Sequence, residues 1–369
     1  MPAQPLFVTR KFPPSVGGME TLAAGVWRAL NGAAPGARLV AHGGSNRQLP
    51  RWLPAAVARV VWLVARRRCD VVLTGDALMY AVLYPILRIA RVRSATMVMG
   101  LDLTYQNRAY RAVVHRALRR APCVIAISAA TAEVAGSFGV RPDRVRVVRL
   151  GVAAPPVTAE DRVSAAEDLR RRYGLPDDAV VLLTLGRLVR RKGGAWFARH
   201  VLAGLPDGVH YLVAGDGPER EPIAAAAAAA GVDQRVHLLG RVDDDTRERL
   251  LCGADIFVQP NIRVPGDMEG FGLVTIEAAM RGTVTVASGI EGICDAVRDG
   301  QTGILLPAED PDAWIARLRE LVADPPSRRD TGARFGARTR ELYGERAMGA
   351  RLVAELDGLN EPDGHGGPG

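Results

Sequence analysis

Lysine is nearly missing from this chain of 369 residues: only Lys11 and Lys192 stand among 48 cationic residues, the others being arginine. A lysine kept against that background singles out Lys192 as functional. Aromatic residues make up 5% and there are six histidines, and no nucleic-acid-binding module is recognisable, which argues against a nucleic-acid binder. The four cysteines, Cys69, Cys123, Cys252 and Cys294, are far apart, with no C-x-x-C and no zinc-spaced histidine, and are expected to be buried small hydrophobes in a reducing compartment. Long apolar runs are missing too. The most apolar stretch, 77–87, is interrupted by Pro85 and is too short to span a bilayer, and the first residues lack the basic and apolar regions of a secretion signal.

What is present is a two-domain length, a globular composition and a segregated charge. Residues 1–150 hold 22 Lys and Arg against 6 Asp and Glu, a net +16, and the remaining 219 hold 26 against 34, a net −8. A basic half of this kind points to a polyanionic partner, either nucleic acid or an anionic membrane face. Two arginine-bearing amphipathic segments, 51–68 and 108–120, carry much of that charge.

Apolar strand-like runs alternate with helical spacing: 6–9, 70–73, 96–99 and 123–128, then 180–185, 211–214, 236–240, 255–260 and 283–288. A β-α-β-α order throughout predicts doubly wound parallel sheets of the α/β class. The composition changes near Pro155-Pro156, so the expected division is an N-terminal domain over 1–155 and a C-terminal domain over 156–345. A C-terminal helix over 346–359 would return to the first domain, ahead of a disordered Gly/Pro-rich tail at 360–369.

The chemistry concentrates in residues 267–282. Gly270 and Gly272 are poor helix formers, whereas 273–281 carries good ones and stops at Gly282, so a helix is predicted to begin near Gly272. Glu269 then lies on the loop ahead of that helix, and Glu277 lies roughly 7–8 Å along its axis. Two carboxylates flanking a helix N-terminus suit a molecule with phosphate in the middle and hydroxyl-rich groups at both ends, because free N–H groups and the helix dipole attract the phosphate. Upstream, Gly186-Arg187 ends a strand and Lys192 follows five residues later at a glycine-flanked helix start, so both cations can converge on one diphosphate.

The E-x7-E spacing of Glu269 and Glu277 around Gly-Phe-Gly, with Gly186-Arg187-Leu188 and Lys192-Gly193 before it, resembles the retaining nucleotide-sugar glycosyltransferases of family 4, which have the GT-B fold. The resemblance runs over roughly residues 6–357. It implies two Rossmann-like domains facing a cleft and a hexosyltransferase activity, with Arg187, Lys192 and Glu269 as the catalytic set. Donor-binding positions would be Gly17, Gly18, Gly186, Val242, Gly270, Phe271, Gly272, Leu273 and Glu277, with Glu277 on the ribose. Gly17 and Gly18 enter through a P-P-x-x-G-G-x-E-like loop, and Val242 through a strand and loop that meets the base. Met99, Asp102 and Ser128 fall on the acceptor and sugar side.

Three departures stand out. Met99 takes the place where the family often has histidine, Arg149-Leu150-Gly151-Val152 lacks the asparagine of P-N-G-V, and Asp295 replaces the last glutamate of a G-G-x-x-E-like phrase at 289–295. The partners expected are a nucleotide-diphosphate sugar, a lipid-linked or other hydroxyl acceptor and an anionic membrane surface, without nucleic acid. No metal or other cofactor is expected. The implied location is cytoplasmic, peripheral to the inner face of the cell membrane. A sugar-nucleotide epimerase of the same fold is the alternative, disfavoured by Met99 and the few histidines, and a basic nucleic-acid-binding protein is a more remote one.

Overall fold

A computed structural model describes residues 4–359 except 16, 101, 102, 104, 106, 155 and 156. Asp102 and the 360–369 tail therefore lie outside the described residues. The chain forms two units, one running to Ala153 and resuming at Tyr343, the other spanning Ala154–Leu342.

In the first unit the strands are β1 (Pro5–Thr9), β2 (Arg38–Ala41), β3 (Val71–Thr74), β4 (Arg93–Val98), β5 (Cys123–Ala126) and β6 (Val145–Val147). They form one parallel sheet in the order β2-β1-β3-β4-β5-β6, so the direction of winding reverses between β1 and β3. Among the described residues the helices between them are α1 (Gly18–Ala33), α2 (Leu49–Ala65), α3 (Ala77–Ile89), α4 (Arg108–Leu118) and α5 (Ala129–Ser137).

The apolar stretch from Ala77 is α3. Asp76, fully buried, caps its N-terminus by accepting from the Leu78 and Met79 amides, and Met79, Tyr80, Leu83 and Leu87 fill the core. On α2, Ala56, Val60 and Leu63 face inward while Arg51 and Arg59 stay exposed, as helical periodicity requires of an amphipathic segment.

The second unit contains α6 (Ala159–Tyr173), β7 (Val180–Leu185), α7 (Gly194–His200), β8 (Val209–Ala214), α8 (Arg220–Ala229), β9 (Val236–Gly240), α9 (Asp244–Gly253) and β10 (Ile256–Gln259). It continues with α10 (Leu273–Met280), β11 (Val284–Ser288), α11 (Ile293–Ala296), β12 (Ile304–Leu306), α12 (Pro311–Ala323) and α13 (Pro325–Tyr343). The strands are parallel in the order β12-β11-β10-β7-β8-β9. Winding proceeds from β7 one way to β9, then resumes at β10 on the other side of β7. The crevice beyond the ends of β7 and β10 is the switch point where sheets of this kind bind ligands.

The last helix, α14 (Glu345–Asp357), belongs to the first unit, which the chain re-enters at Tyr343, slightly before the 345/346 boundary drawn from the sequence. It packs along α1 at close range: a Cβ on Gly349 would lie 2.3 Å from the Ala29 carbonyl oxygen, and Arg28 on α1 pairs with Glu345 at 2.6 Å.

Three strands, β2, β6 and β12, go beyond those predicted, and all three are sheet edges of three or four residues. An edge strand shows only part of its surface to the core, so its apolar run is short and broken. The cysteine expectation also needs correcting. Cys69, Cys123 and Cys252 are buried, but Cys294 is exposed, on the outer side of the one-turn helix α11. His237 lies in β9, with its Nε2 3.1 Å from Nδ1 of His210 on the neighbouring strand.

Candidate active site

The exit of β7 brings cations to the switch point. Gly186 leaves the strand at φ 142°, a conformation suited to glycine, and open space lies where its Cβ would be. Arg187 follows, exposed, and its guanidinium pairs with no carboxylate among the described residues. A single tight helical turn, Arg190–Lys192, ends at Gly193 with φ 68°. A Cβ there would sit 1.8 Å from the Pro260 carbonyl oxygen, and the Ile262 amide donates to the Arg191 carbonyl at 2.9 Å. The lysine turn is thereby stitched to the exit of β10.

Glu269 is where these strand ends meet. Its residue is 9% exposed, and its Oε2 lies 2.6 Å from Lys192 Nζ, 3.3 Å from Asn261 Nδ2 and 3.6 Å from Arg191 Nε. Burial by itself would raise the Glu269 carboxyl. The Lys192 and Arg191 charges, with hydrogen bonds from Lys192 and Asn261, outweigh it and hold the group below its ordinary value. Arg191 also grips Asp267 at 3.1 Å, and the Glu269 amide donates to Glu291 Oε2 at 2.6 Å.

Helix α10 begins beside this cluster, as predicted. Gly272 is its N-cap residue at φ 84° and the helix ends ahead of Gly282 at φ 79°. Phe271 is 3% exposed, Leu273 is half-buried, and a Cβ on Gly292 would fall 2.1 Å from the Gly270 carbonyl oxygen, so the Gly270-Phe271-Gly272 loop is clamped against the start of α11. Beneath Gly272 lies Gln259, 2% exposed, whose Nε2 has no hydrogen-bond partner and is 3.3 Å from the position a Gly272 Cβ would take. Asn261 Oδ1 and Ser288 Oγ are buried and unpartnered at the neighbouring strand ends. Native interiors rarely leave such atoms orphaned, and a polar ligand at the switch point would satisfy them.

Glu277, on α10, is 8% exposed and forms an ion pair with Arg247 of α9. Next to it Arg281 pairs with Glu248 at 2.5 Å and donates to the Glu277 carbonyl at 2.8 Å, so two ion pairs hold α10 to α9. Val242, partly buried, packs on the apolar cluster beneath.

The remaining predicted residues belong to the first unit. Gly17 is the N-cap residue of α1 and a Cβ on it would strike Glu20, whereas Gly18 has open space around it. Glu20 pairs with Lys11 at 3.2 Å, so each of the two lysines meets a glutamate beside a glycine turn. Met99 is 7% exposed at the end of β4. Ser128 has a structural job: fully buried, it caps α5 by accepting from the Thr131 amide at 3.0 Å and shares a hydrogen bond with the Thr131 hydroxyl at 2.8 Å.

Sequence reasoning missed Gln259, Asn261, Arg191, Asp267, Glu291 and Arg247. A polar residue closing a buried apolar strand, Gln259, with another just past Pro260, Asn261, was the available signal for these two; nothing local marks Arg247 as the partner of a residue thirty positions away. Among the described residues no group of three or more His, Cys, Asp or Glu side chains could hold a metal ion, and no helix is long and apolar enough to cross a membrane.

Residues 179–324 match the family model described as Glycosyl transferases group 1, and residues 16–154 match that described as Glycosyltransferase Family 4. The chain is similar to D-inositol 3-phosphate glycosyltransferase of Mycolicibacterium gilvum, 36% identical over half of this chain, and that match spans 41% of the relative's length. It is also similar to the GDP-mannose-dependent alpha-(1-6)-phosphatidylinositol monomannoside mannosyltransferase of Mycolicibacterium smegmatis, 29% identical over 96% of this chain and 99% of the relative. In fold it matches Anabaena HepE, solved with UDP and glucose, with a TM-score of 0.73 at 19% identity, covering 96% of this chain and all of that one. With both units matched by glycosyltransferase models and the sheets of this fold in place, the chain belongs to the family 4-like glycosyltransferases of the GT-B fold.

Proposed function

We propose that the second unit binds a nucleotide-diphosphate sugar and that the sugar passes, with retention of its anomeric configuration, to a hydroxyl of a lipid-linked acceptor. The observation that carries this reading is the Lys192–Glu269 pair at the switch point beside the start of α10. Arg187, Lys192 and the helix N-terminus stabilise the charge that builds on the departing diphosphate. Glu269 faces the sugar, Glu277 the ribose, and the Val242 backbone the base, while Gly17 and Gly18 let a phosphate or acceptor approach the first unit. Assay with a panel of nucleotide sugars, followed by NMR of the product's anomeric proton, tests it: an inverted anomer overturns the retaining step.

In this reading the leaving-group charge is met by side-chain cations and a helix end, the work that a metal ion does elsewhere. Activity is therefore expected to survive EDTA, and complete loss restored by magnesium or manganese would contradict it.

The lipid-linked acceptor rests on the surface of the first unit. Of the large hydrophobic residues exposed among the described positions, Val61, Trp62, Ile89, Tyr105, Val113 and Val147 lie in that unit, set among its arginines, and Arg59 stacks over the Trp62 ring at 4.6 Å. Basic residues near an anionic bilayer contribute about 1 kcal/mol each, an attraction that fades within a Debye length, and a half-exposed tryptophan adds apolar insertion. Such a surface would place the enzyme on the cytoplasmic face of the membrane. Sedimentation with vesicles should show binding that requires anionic lipid, falls steeply with salt and weakens in the Arg66/Arg67/Arg68→Ser variant. Indifference to anionic vesicles at low salt, with efficient glycosylation of a soluble small molecule, would sink the lipid assignment.

A further inference from the structure

We propose that Glu291 is a positioning residue for the donor-sugar side of the site, fixing the backbone of Glu269 so that its carboxylate stays aimed at the sugar; this rests on the reading of Glu269 given above. Glu291 stands at the first glycine place of the G-G-x-x-E-like phrase and adopts φ 51°, a left-handed conformation that L side chains rarely take. Glycine would occupy that backbone without strain. The glutamate side chain nevertheless makes one hydrogen bond among the described residues, accepting the Glu269 amide at 2.6 Å. The next residue completes the hold, because the Gly292 amide donates to the Glu269 carbonyl at 3.1 Å. Both backbone polar groups of Glu269 are thus taken by residues 291 and 292, while Lys192 and Asn261 take its carboxylate.

A carboxylate is a costly choice for this place. Burial, and with it the neighbouring Glu269 charge, pushes the Glu291 carboxyl above its ordinary value against the Glu269 amide and the Arg263 and Arg191 charges. A strained backbone and an unfavourable charge kept for one bond to Glu269 indicate that placing Glu269 is what the side chain does. Glu291 needs no contact with the substrate for this.

The test is a double-mutant cycle read as kcat and donor KM. Glu291→Gly relaxes the backbone and removes the acceptor; it should lower kcat about 10- to 100-fold, the scale of a reacting group displaced by a fraction of an ångström to an ångström. Glu291→Gln keeps an oxygen acceptor at the same reach and should recover most of that loss. In a Glu269→Gln background, chosen to retain measurable turnover, adding Glu291→Gly should change kcat by no more than about twofold, because the two residues act as one unit. Equal losses in both backgrounds, or no loss in the parent, would overturn the inference alone. A Glu269→Gln enzyme as fast as the parent would instead overturn the reading of Glu269, and the inference with it.

Discussion

Lys192→Ala is expected to lower kcat about 100-fold or more, on the scale of a lost oxyanion donor, with a smaller effect on donor KM. The reason lies in when the charge appears. Lys192 neutralises Glu269 at 2.6 Å, a pair whose side chains are only 13% and 11% exposed. Negative charge gathers on the distal phosphate only as the glycosidic bond breaks, so a cation held at that point favours the transition state over the bound ground state.

The same substitution removes the nearest cation from a buried carboxylate, and a fall in Tm is expected with it. Arg191 at 3.6 Å and Asn261 at 3.3 Å remain to hold Glu269, so the fold should persist and kcat can be read well below Tm. The acid limb of stability should change as well. Because the Glu269 carboxyl is held below its ordinary value, its stabilisation is complete above the usual glutamate range and is lost as pH falls through the lowered folded-state value. Without Lys192 the loss should begin at higher pH. A Lys192→Ala enzyme that turns over at the parent rate would end the assignment.

Glu277→Ala is expected to act on binding. A carboxylate on ribose hydroxyls is engaged equally before and during reaction, so donor KM should rise while kcat stays close to the parent value. A hydrogen bond to a charged group is worth about 1.5–3 kcal/mol, which places the rise at about 10- to 100-fold. Arg247, left without its partner, is 28% exposed at its side chain and can turn to water, which keeps the stability cost modest. Steady-state kinetics with donor varied checks this, and a fall in kcat at unchanged KM would move Glu277 from the ribose to the reacting centre.

The central strands were legible because a strand buried on both faces must be apolar along its whole length, as in Val180–Leu185, where five of six residues are buried. The edges were not, since Val145–Val147 keeps two of three residues exposed and reads as loop. At the site, the spacing of Glu269 and Glu277 could be read because helix geometry converts sequence separation into distance. Their partners could not. Arg247 reaches Glu277 from another helix, and Glu291 reaches Glu269 from the far side of β11, contacts that exist only once the sheet has brought β10 and β11 together. Ser128 was ambiguous in a different way, since a serine after a strand serves equally well as a ligand group and as a helix cap, and here its hydroxyl caps α5.

The claim that a donor diphosphate sits at the β7/β10 switch point against Lys192 is tested most directly by calorimetric titration of the parent and Lys192→Ala with a nucleoside diphosphate and the matching monophosphate. The parent should bind the diphosphate more tightly than the monophosphate, and the gap should close in Lys192→Ala while monophosphate affinity holds. Equal affinity of the parent for both nucleotides, or a gap that Lys192→Ala leaves intact, would contradict the account.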